Sequence, residues 1–360
     1  MSRLKILPRP SPDRTLMESI RETGFKVFPE RKLNYDKQQS AEPMEIPNHQ
    51  PIMLDIENVS RCNYRCSMCQ VSQWEKGKRA RDMALDEFKS LLDGQTGLME
   101  IKLQGMGEPF LEESYFDMIK YARSRHLWVR STTNGSLLHV KNNFKRILDA
   151  DICEIQVSVD GATEKAYQAI RKGGNFRRIK DNCKLLNRYA ADSNLRRTRM
   201  WVVVQSTNFN ELEQIVLLTD ELGFERLTFS LDLNDWGQTK WKQINDSVDM
   251  HHNFSIERGC NLVELGIKLG VEVTFWFIDD KYRRSDKTRI CPWPFERAYI
   301  SSDMRVVPCC MIATPDVYDL GDARDLNTVW RSEKMKIFRK MHLSENLPLT
   351  CRSCYMDDEN

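Results

Sequence analysis

Residues 51–70 read PIMLDIENVSRCNYRCSMCQ, an apolar run followed by three cysteines within eight residues. The run has the composition of a buried strand. It opens an alternation that governs the next two hundred positions. Apolar, β-branched-rich runs recur at LMEIKLQG (98–105), LWVRSTTNG (127–135), ICEIQVSVDG (152–161), RMWVVVQST (199–207) and FERLTFSLDL (224–233). Helical patterns lie between them: LDEFKSLLDG (85–94), EESYFDMIKYARS (112–124), VKNNFKRILDA (140–150), IKDNCKLLNRYAADS (179–193) and NELEQIVLLTDELG (210–223). Strand then helix, repeated about six times, implies parallel strands joined by crossover helices. The expected fold is therefore α/β, an open or partial TIM-like (β/α)6 barrel, with functional residues at the C-terminal ends of the strands.

After VEVTFWF (271–277) the pattern changes to a Cys-Pro-Trp-Pro step, a hairpin AYISSDMRVVPCC (298–310), a helix LNTVWRSEKMKIFRKMH (326–342) and a final CRSC (351–354). A unit this small buries little core and often leans on a metal. The expected organisation is an arm at 1–50 with one short helix near 14–23, a core at 51–280, and a small α+β unit at 281–360.

The 360 residues are 41% hydrophobic and 29% charged, and 54 Lys+Arg against 52 Asp+Glu leave a net charge of +2. Signs so nearly balanced give no reason to expect nucleic acid. The basic stretch RKGGNFRRIK (171–180) reads as a solvated helix start. No apolar run suits a membrane span or a signal peptide, so a cytoplasmic protein without a membrane partner is expected. In that compartment the eleven cysteines point to metal rather than to disulfides.

Cys62, Cys66 and Cys69 stand on the loop after the first expected strand, with no fourth Cys or His nearby. Four thiolates would suit zinc or a closed cluster. Three on a cubane of four irons leave one iron open. The spacing CxxxCxxC resembles the signature of radical S-adenosylmethionine (SAM) enzymes, and three further stretches support it: GMGEP (105–109), TTNG (132–135) and SVDG (158–161), the last followed by AIRKGGNF (169–176). The resemblance implies a [4Fe–4S] cluster whose open iron binds SAM, and reductive cleavage of SAM to a 5′-deoxyadenosyl radical that abstracts hydrogen from a substrate. It also implies a SAM-binding set: Gly105, Gly107 and Glu108 around the amino group, Asn134 beside them, Ser158 and Arg171 for the carboxylate, and Asp160 or Gln205 for the ribose. Met68 departs from the family, which often has an aromatic residue there.

Cys291, Cys309, Cys351 and Cys354 form a second set, able to hold zinc or a fully ligated cluster. Behind such a core they resemble the twitch domain, the shortened relative of SPASM, which implies one auxiliary [4Fe–4S] cluster. Cys309 suits that pattern better than Cys310, and Met304 stands where the pattern usually has Gly. A closed cluster would accept or relay an electron. Cys153, Cys183 and Cys260 read as buried hydrophobes, although the family's epimerases use a thiol as hydrogen donor, which makes Cys260 and Cys310 candidates. His251–His252 read as surface. The aromatics at 236–241 and 276–293 read as core or as a pocket lining.

The expected function is a radical SAM oxidoreductase or epimerase acting on a small molecule such as a sugar or aminocyclitol. That choice rests on the arm, which is shorter than the leader-recognition domain of peptide-modifying relatives. An external one-electron reductant such as flavodoxin or ferredoxin is implied. The alternative is a peptide- or protein-modifying maturase working with a separate partner; a non-catalytic metal-cluster protein is the remote one.

Overall fold

The computed structural model describes residues 7–74, 81–276, 282–283, 285–344 and 346–355. The expected domain boundary at 280 and 281, and Phe277 of the aromatic stretch, lie outside them. Seven parallel strands run in chain order through the core: β1 (Met53–Ile56), β2 (Glu100–Leu103), β3 (Trp128–Thr133), β4 (Glu154–Ser158), β5 (Thr198–Val203), β6 (Arg226–Ser230) and β7 (Glu272–Trp276). The helices that follow them include α3 (Leu85–Asp93), α4 (Tyr115–Ser124), α5 (Asn143–Asp149), α6 (Glu164–Ile170), α7 (Phe176–Asp192), α8 (Leu212–Glu221), α9 (Thr239–Asp246) and α10 (Ile256–Leu269). Six of the seven strands are those expected. The seventh is VEVTFW, placed beside β6 by the preceding α10.

Strand alternation sorts the two faces of this sheet. Leu54, Ile56, Ile101, Leu103, Val129, Ile155, Val157, Met200, Val202, Leu227, Phe229, Val273 and Phe275 all enter one apolar core with the helices. Burial of each such side chain is worth about 1.5–3 kcal/mol. The residues between them face the lumen, and most are polar or charged, among them Asp55, Lys102, Arg130, Glu154, Arg199 and Arg226, with Trp201 and Trp276 paired at 6.3 Å among the apolar ones. A packed parallel sheet would carry Val, Ile and Leu on both faces. Glu154 is buried between Arg199 (3.3 Å) and Arg226 (2.9 Å), so part of the lumen charge is neutralised by the chain itself.

The C-terminal unit continues the same sheet. β8 (Arg297–Ile300) lies parallel to β1, and the expected hairpin returns as β9 (Arg305–Val307), followed by the short β10 (Gly321–Asp322). The sheet order is β10-β9-β8-β1-β2-β3-β4-β5-β6-β7. Met304, in the hairpin turn, has φ +66°. That left-handed conformation favours Gly, and it accounts for the Gly usual at this position.

The arm holds more structure than one short helix. α1 (Arg14–Val27) and α2 (Pro29–Ser40) brace the barrel, with Leu16, Met17 and Ile20 packed on Trp128 and Cys153. Ser11 O accepts from Arg199 Nη2 at 2.8 Å, and Pro8 O from Phe275 N at 2.8 Å. The arm thus covers the edge of β7, a surface that would otherwise present unpaired backbone groups.

Candidate functional site

The loop after β1 is keyed into place by a residue the sequence motifs do not single out. Glu57 is fully buried. Its Oε2 accepts from Met106 N (2.8 Å) and Tyr299 OH (2.9 Å), and its Oε1 from Ser302 N (3.3 Å). One carboxylate therefore ties the end of β1 to the GMGEP loop and to the β8 hairpin. A Cβ added at Gly105 would fall 2.2 Å from Glu57 Cγ, and one at Gly107 would fall 2.3 Å from Val59 O and 2.5 Å from Arg61 O. Both glycines are required by close backbone approach, whatever else they touch.

Glu108 is buried, and its oxygens accept from Thr133 Oγ1 (2.6 Å) and Asn134 N (2.8 Å). Burial pushes it up to about 7, against the hydrogen bonds from Thr133 and Asn134. Asn134 donates to Asn63 Oδ1 at 2.9 Å and lies 3.9 Å from Cys62 Sγ. TTNG is thereby fastened to the cysteine loop. From the other side, Ile170 O accepts from Ser67 N and Lys172 O from Arg65 N, each at 2.9 Å. The basic stretch starts α7 with Lys172, Arg177 and Arg178 exposed, as expected, and its first residues also brace the cysteine loop.

Arg171 places Nη1 3.8 Å from Cys66 Sγ and Nε 2.6 Å from Asp160. Burial works most strongly against its charge, but Asp160, with Cys66 and Tyr167 adding to it, holds Arg171 above its ordinary value. The other oxygen of Asp160 accepts from Val203 N at 2.8 Å, and the residue is fully buried. Asp160 therefore positions Arg171. Gln205 Nε2 is buried with no partner, and Asn208 fixes its backbone at 2.9 Å. Ser158 is buried at the end of β4.

Cys62, Cys66 and Cys69 gather with Tyr64, Met68 and Ile170 in one small apolar cluster. Burial, then Glu108, pushes Cys62 up to about 12; burial, then Cys66, does the same at Cys69. Thiols so disfavoured as thiolates would need a cation to deprotonate them, which a bound iron would supply. Met68 packs within the cluster in the place usual for an aromatic.

The second set forms around the short 3-10 helix Leu349–Cys354 and the residues just after β9. Burial raises Cys309 well above its ordinary value, with Cys310, Cys351, Cys291 and Cys354 all adding to it. Cys309 thus shares its surroundings with Cys351, Cys291 and Cys354, while Cys310 lies among Asp55, Lys102, Arg297 and Arg130 and is also felt by Cys354. Cys291 N donates to Tyr355 OH at 3.0 Å, and that hydroxyl lies 2.9 Å from His342 Nδ1. Among the described residues no three His, Cys, Asp or Glu side chains converge as a single-ion site.

Cys260 sits on α10 and packs against the main core in the helical layer. The fold therefore does not bring it to the lumen, and only Cys310 of the two hydrogen-donor candidates is there. Cys153 and Cys183 are buried. Trp236 and Trp241 pack edge to face (5.5 Å) in a cluster with Tyr299 and Val307. Over the mouth, Gln238 Nε2 donates to Gln70 Oε1 at 2.7 Å and Asn245 Nδ2 to Met68 O at 3.3 Å. Two cavities, of about 200 and 370 Å³, lie at the arm and not at the thiols.

A family model of the radical SAM superfamily matches residues 58–219, and one of the SPASM iron–sulfur cluster-binding domain matches residues 291–355. The chain is a radical SAM protein with a SPASM domain. These two domains imply a SAM-binding [4Fe–4S] cluster and auxiliary iron–sulfur binding, and the buried thiols and the unpartnered Gln205 amide fit them. The radical SAM chain is 25% identical, over 85% of its length and 87% of the relative's, to a tungsten-containing aldehyde ferredoxin oxidoreductase cofactor-modifying protein of Pyrococcus furiosus. It is 22% identical to the PqqA peptide cyclase of Bradyrhizobium diazoefficiens, over 89% of this chain and 82% of the other. It is 25% identical to the mycofactocin maturase MftC of Mycobacterium ulcerans over 55% of this chain, which spans about half (52%) of that relative. Among solved structures, Streptococcus suis SuiB bound to precursor peptide SuiA aligns with TM-score 0.64 at 14% identity, covering 85% of this chain and 69% of that one. This likeness is one of fold. Among the described residues no helix is long and apolar enough to cross a membrane.

Proposed function

We propose that this radical SAM enzyme modifies an amino-acid residue of a peptide or protein substrate held in the barrel lumen, between two iron–sulfur sites. The observation that carries the reading is the relationship to a peptide cyclase over 89% of the chain, through both the core and the SPASM domain. The sugar or aminocyclitol substrate expected from the shortness of the arm gives way to it. Arm length is a weak guide, because a separate partner can present a peptide.

In this reading Cys62, Cys66 and Cys69 hold the cluster with the open iron, and bound SAM supplies a 5′-deoxyadenosyl radical on reduction. Gly105, Gly107 and Asn134 shape the amino-acid end of the SAM site, and Glu108 accepts from its amino group. Arg171, aimed by Asp160, faces its carboxylate together with Ser158, while Gln205 meets its ribose. Cys291, Cys309, Cys351 and Cys354 hold the auxiliary cluster. The lumen offers a polar side chain a place to anchor: Asp55 is buried with Oδ1 unpartnered, paired in register with Lys102.

The Pyrococcus relative, matched over 85% of the chain, favours a second reading in which the substrate is a non-peptide cofactor. Anaerobic incubation with SAM, dithionite and either peptides encoded beside the gene or a panel of pterins and sugars separates the two. A SAM-dependent mass change in a peptide is expected. Turnover of a small molecule with no peptide modified would overturn the first reading.

A further inference from the structure

At the end of the barrel opposite the Cys62–Cys69 loop, the arm closes the strands without filling the space beneath them. Arg297, Met53, Glu100 and Trp128, the first residues of β8, β1, β2 and β3, stand side by side in register. They form one wall of the cavity of about 200 Å³, which α1 faces with Ile20 and Arg21 and α2 with Arg31. That volume equals about six or seven waters, enough for a small organic molecule.

Three guanidinium groups border the cavity, Arg21, Arg31 and Arg297, against one carboxylate, Glu100. Glu100 already lies 2.6 Å from Arg130. Arg31 is only 2% exposed. Its Nη1 donates to Arg125 O (2.9 Å) and His126 O (3.1 Å), just beyond α4, and its guanidinium carbon lies 4.6 Å from the centre of the Phe28 ring. Its Nε is buried with no partner. Among the described residues neither Arg31 nor Arg21 has a carboxylate at ion-pair distance. Arg21 lies 5.7 Å over Tyr35, and Arg297 meets Glu296 only at 3.9 Å.

Burial, then Arg125, pushes Arg31 down to about 10, and the exposed Glu30 offsets part of this. A buried guanidinium without a counter-charge is costly to the fold. Capping the end of α4 accounts for Nη1 and leaves that charge unanswered. Ile20, Met53 and Trp128, on the same cavity, are apolar and buried. The space is therefore cationic on one side and apolar on the other.

We propose that this cavity binds a small organic anion, a carboxylate carried on a compact aliphatic or aromatic group. Arg21, Arg31 and Arg297 surround the carboxylate, and Ile20, Met53 and Trp128 meet the carbon part. A molecule bound there ties both arm helices to four strands of the barrel. The site is separate from both cysteine sets, and it holds whatever substrate the lumen takes.

Benzoate is a probe of this size and chemistry, and benzamide is its uncharged counterpart. With the reconstituted full-length protein at fixed ionic strength, benzoate should raise the unfolding temperature along a saturating curve, and benzamide should not. Arg21→Gln and Arg297→Gln should each weaken benzoate binding by about tenfold or more, as followed by titration calorimetry. Both side chains are half-buried and neither holds a helix end as Arg31 does, so each variant should fold, which unfolding without benzoate checks. No saturable effect of benzoate on the wild type would overturn the proposal. So would equal stabilisation by benzamide, or benzoate binding unchanged in both variants.

Discussion

At the scale of single residues, spacing within a few positions was legible and long-range partnership was not. CxxxCxxC and GMGEP announce themselves because their chemistry depends on neighbours in sequence. Gly107 shows how strictly: its Cβ would meet two backbone oxygens of the cysteine loop at 2.3 and 2.5 Å, and backbone cannot swing aside. Gly107→Ala should displace that loop and lower SAM cleavage by roughly a hundredfold, as read from 5′-deoxyadenosine formation. Glu57, by contrast, has partners far along the chain at Tyr299 and Ser302, and nothing near it in sequence marks it. The same blindness applied to the partners of Asp160, whose two oxygens meet Arg171 and Val203 N. The adjacent pair at the end of the hairpin gives a second residue-level expectation. Cys309→Ser should lower iron from about eight to about four per chain, whereas Cys310→Ser should leave it at about eight; equal loss in both would show that the two thiols are not sorted as described.

At the scale of elements, the strand–helix alternation was readable because one face of every strand is apolar and enters a single core. The arm was misjudged for a physical reason. α2 is PERKLNYDKQQS, almost wholly polar, and its single buried residue is Arg31, which donates to Arg125 O and His126 O. No periodicity of apolar residues could announce such a helix. The C-terminal end shows the converse, a buried polar chain holding a cysteine. In helix Glu333–His342, burial pushes His342 down to about 4 from 6.5. The folded protein therefore keeps it neutral where the unfolded chain would be protonated. Its contribution to stability is complete above about pH 6.5 and is lost as pH falls toward about 4, amounting to roughly 3 kcal/mol at most. Thermal unfolding followed across that range should show the loss in the wild type and a flatter dependence in His342→Gln. Parallel curves would mean that His342 is not the group responsible.

At the scale of the whole molecule, one sheet runs through both sequence units, with β8 beside β1 next to the loop of Cys62, Cys66 and Cys69, and with Cys309 and Cys310 just after β9. The closing of one sheet across two sequence units could not be foreseen from the change of pattern near residue 280. Nor could the substrate, because the alternation that reveals strands does not say which lumen charges are already neutralised. Glu154 is, by Arg199 and Arg226, whereas Asp55 keeps one oxygen unpartnered. The central claim is that the three thiols of the first loop, and not the other four, support SAM cleavage. It is tested most directly by reconstituting Cys62→Ala/Cys66→Ala/Cys69→Ala anaerobically and assaying 5′-deoxyadenosine with SAM and dithionite. The account predicts that the variant keeps about four irons per chain and forms no product above background. Product formed at the wild-type rate by that variant would contradict it.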